Sequence, residues 1–368
     1  MAKTRISKAR ISLRGISLRP RWLQSLFVVL VALACLSVGT SQAEPIQWVT
    51  VGDPGNAGNA RDPFADNGSV AYSYQIMQYE FTNQQYTVFL NSVASVTDPY
   101  QLYDTRMGSN ARGGITRSGV SGSYSYAFKS NMGNKPVNWV SWWSAARVAN
   151  WYQNGATSSS STETGAYTLD GQTTGYAVAV NANATYYIPK VNEWYKAAYY
   201  SPNYGGLGVP GYYRYATQSD TAPTPVTANA AGDGSAGDTG NFANYSSSAS
   251  WNGQTGNVTT VGTNGGPSYY GAFDMSGNVW EWNDDRGTAG KPPSQPQRPV
   301  RGGDFYVTDP ELMSFSYSVN QFTQDTNEST GFRLASPVPV PEPSTWVMAP
   351  AALAYGAWQA VRRRRRAR

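Results

Sequence analysis

The chemistry open to this chain is bounded first by what it lacks. Among 368 residues there is no histidine and one cysteine, Cys35. Ser-His-Asp or Cys-His catalysis and imidazole-bound zinc or iron need side chains that are absent. A lone cysteine supplies neither a disulfide nor a thiolate metal site. Carboxylates, amides, hydroxyls and aromatic rings remain. Glu193 and Glu281, each followed by a tryptophan, can be posed as the acid and base of a glycosidase. The twelve tryptophans could line a carbohydrate-binding surface.

Few regular elements are on offer to position these groups. Residues from about 46 to 336 are rich in Gly, Asn, Ser, Thr and Tyr, and their apolar runs are short, enough for one large domain or two small ones. Ala71 to Met77 and Tyr186-Tyr187-Ile188 read as brief strands. Helical spacing places Tyr86, Phe89 and Leu90 on one face, with Thr82 as N-cap. The same spacing recurs from Ser141 to Gln153, with Trp142, Ala145, Ala149 and Tyr152 aligned, and from Lys190 to Tyr199, with Trp194, Ala197 and Ala198. Residues 155–185 and 201–268 read as Ser/Thr/Gly/Asn loops with weak strand signals. No internal repeat is visible, and three short helices do not make a bundle.

Six motifs occur in order along this body. They are Glu80-Phe81-Thr82-Asn83-Gln84-Gln85-Tyr86, Pro136-Val137-Asn138-Trp139-Val140-Ser141-Trp142, Ile188-Pro189-Lys190-Val191-Asn192-Glu193-Trp194, Asp274-Met275-Ser276-Gly277-Asn278-Val279-Trp280-Glu281-Trp282, Arg301-Gly302-Gly303, and Gly331-Phe332-Arg333-Leu334. Together they resemble the formylglycine-generating enzyme, or sulfatase-modifying factor, domain. The resemblance implies an α+β fold: an irregular, loop-rich variant of the C-type lectin fold with short strands and a few short helices. It also makes Trp142, Trp194, Trp280 and Trp282 packing residues and gives Glu193 and Glu281 structural roles.

Catalytic members of that family oxidise a cysteine with copper held by two cysteines. The matching positions here are Val307 and Leu312. Copper(I) needs thiolates, so the resemblance implies no copper and no formylglycine chemistry. A related branch uses histidine-bound iron, which this composition also removes. The family's structural calcium maps onto the side chains of Asp274 and Glu281 and the carbonyls of Gly277 and Val279. Hard oxygens of this kind suit Ca²⁺. The competing reading pairs Glu281 with a buried arginine, Arg301 or Arg333. A second family calcium site maps onto Asn244-Tyr245, but its later segment falls near Asn252-Gly253, where the expected Asp is missing.

The two ends carry targeting signals. Seven basic residues and no acid occupy 1–43; Leu23 to Val38 is mostly apolar, and Ser41-Gln42-Ala43 offers a signal peptidase site after Ala43. At the other end, Val340-Pro341-Glu342-Pro343-Ser344-Thr345 leads into the apolar run 346–361 and then Arg362 to Arg366. That run is shorter than the roughly 20 residues of a comfortable span, and the arginines hold the cytoplasmic side. The arrangement resembles the PEP-CTERM sorting signal of Gram-negative bacteria, which is cut by exosortase. The expected organisation is a signal peptide at 1–43, the domain at 44–336, a Pro-rich sorting motif at 337–345, a short transmembrane segment at 346–361 and an Arg-rich tail at 362–368. The two ends hold 13 of the 28 basic residues and none of the 23 acids, so the body, with 15 bases, carries a net charge of −8. An acidic body gives no footprint for nucleic acid.

The expected route is export through an inner-membrane intermediate to the cell surface or outside, with signal peptidase and exosortase as processing partners. Three functions then compete. They are a non-catalytic surface or matrix module that binds a glycan or peptide, an accessory factor that holds peptides in the family cleft, and an enzyme of unrecognised cofactor-free or calcium-assisted chemistry.

Overall fold

Local chemistry explains where the principal helices begin. Helix α1, Asn83–Val93, starts on the predicted cap: the Thr82 hydroxyl accepts from the Gln85 amide and the Gln85 side chain accepts from the Thr82 amide. That reciprocal pair satisfies two backbone donors that a helix start leaves open. A short α2 spans Arg106–Ser109. Helix α3, Trp142–Gln153, is capped by Ser141, and α4, Val191–Tyr199, by a turn in which Glu193 accepts the Lys190 amide.

The computed structural model describes residues 45–62, 67–176, 178–284 and 296–337, all within one compact unit. The predicted signal segment, the Pro-Glu-Pro motif, the apolar run 346–361 and the arginine tail lie outside these residues. No helix among the described residues is long and apolar enough to cross a membrane.

The strands are short. In chain order they are β1 Trp48–Val51, β2 Tyr74–Met77, β3 Ile115–Val120, β4 Ser123–Phe128, β5 Tyr200–Ser201, β6 Gly211–Tyr212, β7 Thr224–Pro225, β8 Phe242–Ala243, β9 Trp280–Trp282, β10 Gln297–Arg301, β11 Val319–Phe322, β12 Thr330–Gly331 and β13 Ala335–Pro337. One sheet has the order β1-β2-β13 and another β11-β10-β9-β12; the remaining strands pair as β3-β4, β5-β6 and β7-β8. The fold is α+β and loop-rich, as expected. β9 sits inside its sheet, antiparallel to β10 with Glu281 opposite Arg301, and parallel to β12 with Glu281 opposite Gly331. Phe81 and Phe332 stack at 4.8 Å between centroids and tie the first motif to the last.

Two local expectations need correction. Tyr186-Tyr187-Ile188 forms no strand; Tyr187 makes only an isolated bridge to Ala335. Helix α3 is buried on nearly every side rather than along one face. The loop at 157–172 wraps it: Glu163 pairs with Arg147 at 2.7 Å, and Asn150 bonds both the amide and the carbonyl of Tyr167. The polar residues on the supposed outer face are therefore satisfied by loop backbone. The last strand, β13, runs through Pro337 and pairs with β2 as far as Tyr74.

Candidate functional site

The fourth motif forms a tight, left-handed crossing under β9. Asp274, Gly277 and Asn278 have φ of 59°, 88° and 63°, a region that Gly, Asn and Asp tolerate best. A Cβ on Gly277 would lie 2.4 Å from the Asn244 carbonyl oxygen, so glycine lets residues 244 and 277 bridge in parallel. The Asn278 amide then donates to the Asn244 carbonyl at 2.9 Å.

Beneath this crossing, three buried carboxylates share one arginine. Arg333 is fully buried and clasps Glu281 with both Nε and Nη2 at 2.6 Å; it also donates to the carbonyls of Met77 at 3.0 Å and Phe273 at 2.9 Å. Trp194 Nε1 adds a bond to Glu281 at 2.8 Å. Of the two arginines named as partners for Glu281, Arg333 holds it, whereas Arg301 donates to the carbonyls of Phe315 and Tyr317. Asp274 accepts from the Gly262 amide at 2.5 Å and Asn264 Nδ2 at 2.8 Å. Burial pushes the Asp274 carboxyl above its usual range, against the pull of those two donors.

The third carboxylate, Glu80, opens the first motif. It accepts from Asn278 Nδ2 at 2.7 Å and the Val279 amide at 3.3 Å. Burial, followed by the neighbouring Asp274 and Glu281, holds its carboxyl well above the ordinary range; Arg333 opposes them. Sequence reading quoted Glu80 within a motif but gave it no role. Its signal was a charge placed directly between Tyr79 and Phe81.

The oxygen donors named for calcium have the right chemistry, but as placed both oxygens of Glu281 are engaged, so a cation there competes with Arg333. Among the described residues no group of three or more acidic, Cys or His side chains has the arrangement of a metal centre. At the second candidate, Asn244 is fully buried and its Oδ1 has no hydrogen-bond partner. The Tyr245 carbonyl, however, is taken by Ser248 Oγ at 2.7 Å. Asn252, with φ of 52°, donates to the Ala111 carbonyl.

Val307 and Leu312 are half-buried and pack against the main apolar core, and neither has a donor atom for a metal. The turn before them is held by Asp304, whose Oδ1 accepts the amides of Tyr306 at 2.9 Å and Val307 at 3.0 Å. Burial raises the Asp304 carboxyl, against bonds from Ser329, those amides and Trp280. Beside it, Tyr306 donates to Glu328 at 2.7 Å and the Arg112 guanidinium lies 5.0 Å over the Tyr306 ring. Motif reading missed this cluster because Arg112 and the segment that begins at Asp304 are far apart along the chain.

Glu193, the other half of the supposed glycosidase pair, is buried; it accepts from Tyr72 at 2.8 Å, Tyr187 at 3.1 Å and the Lys190 amide. Trp142, Trp194, Trp280 and Trp282 are all buried, so these four form core rather than an exposed platform.

Solved structures similar to this chain include CarF (22% identity, covering 80% of this chain and 99% of that one, TM-score 0.46). Treponema denticola variable protein 1 matches at 16% identity, 80% and 95% coverage and TM-score 0.46. PvdO from Pseudomonas aeruginosa matches at 17%, 80% and 92%, and 0.39. No curated protein matches significantly. The sequence profile of the sulfatase-modifying factor enzyme 1-like domain matches residues 42–338, and the chain belongs to that family.

Proposed function

We propose that this chain is an exported, non-catalytic module of the cell surface or extracellular matrix that binds a glycan or peptide on the family scaffold. The observation that carries the reading is the pair Val307 and Leu312: at the family's cysteine positions stand two side chains that pack into apolar core and offer no ligand atom. The carboxylates nearby support it, since Glu281, Asp274 and Glu193 are each engaged in bonds that hold the fold. The export part of the proposal rests on the two terminal segments: a signal peptide cut after Ala43, and a Pro-Glu-Pro tag, short membrane segment and arginine tail handled by exosortase. Calcium belongs to the proposal as a structural ion at Asp274, Gly277, Val279 and Glu281, in competition with Arg333.

The test is incubation of the protein with copper and a peptide bearing Cys-x-Pro-x-Arg. Mass spectrometry is expected to recover the thiol unchanged. Conversion to the aldehyde would overturn the non-catalytic reading.

A further inference from the structure

The described residues also hold a cleft of about 650 Å³, apart from the buried carboxylates, lined by Tyr100, Tyr103, Arg106, Ser141, Gln324 and Thr326 among others. Its size lies in the range of small-ligand sites. We propose that it binds a neutral saccharide, with Trp139 as a stacking platform that Arg106 covers in the unliganded protein. The proposal rests on the reading of the chain as a binding module, and it names the site and the ligand class.

Trp139 carries the argument. Its φ is 60°, a conformation that is a genuine outlier for a bulky side chain and that is retained where surrounding structure enforces it. The enforcement is visible: the Trp139 amide donates to the Asn327 carbonyl at 2.8 Å, and the preceding Asn138 donates to the carbonyls of Arg112 and Glu328. Trp139 is 8% exposed, and its buried Nε1 has no hydrogen-bond partner. Buried N–H groups of this kind are normally bonded. The Arg106 guanidinium lies over the ring, 4.3 Å from its centroid.

Arg106 covers the ring while its guanidinium is bonded to Asp104 and to the Thr326 hydroxyl. Its side chain is 49% exposed, it begins the four-residue α2, and its ion pair with Asp104 needs no contact with Trp139. A sugar ring has the flat C–H face that stacks on an aromatic ring, and a hydroxyl at its edge supplies the acceptor that the indole N–H lacks. Arg106 joins the cleft to the ring, since it lines the one and lies over the other; Ser141, two residues beyond Trp139, and Thr326, next to the residue that fixes its amide, line the cleft as well. Its walls offer hydroxyls, the amides of Gln101 and Gln324, and both charges. Asp104 already neutralises Arg106, and Asp98 and Arg117 line the same space. A ligand with many hydroxyls and no net charge matches donors and acceptors of both kinds, and it leaves undisturbed a lining in which Arg106 and Arg117 balance Asp98 and Asp104.

The test uses the full chain in a detergent without a sugar headgroup. Neutral and acidic oligosaccharides are screened on an array, and the neutral hits are titrated by calorimetry. Trp139→Asn removes the ring while keeping a residue that tolerates positive φ, and at least tenfold weaker binding is expected. Gln324→Ala, on the cleft wall, supplies a severalfold loss should Trp139→Asn fail to fold. Arg106→Ala uncovers the ring and is expected to tighten binding about two- to fivefold, the worth of one exposed cation–π contact. A screen with only acidic hits, only peptide binding or no saccharide binding overturns the proposal. So do neutral hits unaffected by Trp139→Asn and Gln324→Ala, or weaker binding in Arg106→Ala. None of these outcomes bears on the copper assay, so the non-catalytic reading stands or falls separately.

Discussion

Replacing Arg333 by methionine tests whether one guanidinium neutralises the buried acidic cluster. The side chain is fully buried and gives two bonds to Glu281, one each to the carbonyls of Met77 and Phe273, and a longer one to the carbonyl of Gln78. Removing one partner of a buried pair costs about 3–5 kcal/mol, and the two stranded carbonyls add about 1–3 kcal/mol each before relaxation. A loss of about 5 kcal/mol or more at neutral pH is therefore expected, a large share of the 5–15 kcal/mol typical of a domain. Glu281→Gln should cost less, because Arg333 keeps Glu80 and Asp274 as counter-charges.

The pH dependence separates charge from packing. Glu80 and Asp274 have folded-state values raised above their unfolded ones, so the native state binds more protons. Stability from these groups is present below the unfolded carboxylate range and is lost as pH rises through the folded values. Without Arg333, whose charge opposes both shifts, the folded values rise further. The deficit of Arg333→Met should therefore shrink as pH falls from 7.5 toward 5. Guanidinium unfolding followed by tryptophan fluorescence reads this directly, since Trp194 bonds Glu281. A loss under about 1 kcal/mol, or an equal deficit at both pH values, would refute the reasoning.

Two further outcomes test the proposed function. If Ca²⁺ displaces Arg333 from Glu281, a chelator lowers the melting temperature of the wild type and Glu281→Gln removes most of that drop; an unchanged wild-type melt strikes calcium from the proposal. Replacing Pro341-Glu342-Pro343 with three alanines should leave an uncut form in the membrane fraction, detected by the mass of its C-terminal peptide. Identical fractionation and retained arginine tails in mutant and wild type would instead indicate a permanent tail anchor.

The sequence by itself determined the features that neighbours along the chain control. The Thr82–Gln85 capping pair and the Ser141 cap could be read because a helix start is settled within four residues. The absence of histidine, and of any cysteine besides Cys35, follows from composition alone. The burial of Trp142, Trp194, Trp280 and Trp282 followed from their places in recurrent motifs. Tertiary structure decided what depends on segments far apart. It chose Arg333 over Arg301 for Glu281, because β9 and β12 run parallel and bring the last motif to Glu281's side. It buried Glu80 beside Asp274 and Glu281 across some 200 residues of chain. It wrapped a polar loop around α3, so that a helix patterned as amphipathic became interior. It also held Trp139 at positive φ under Arg106. No local pattern announces these arrangements, since a residue's charge partner and the strain it bears are properties of the packed whole.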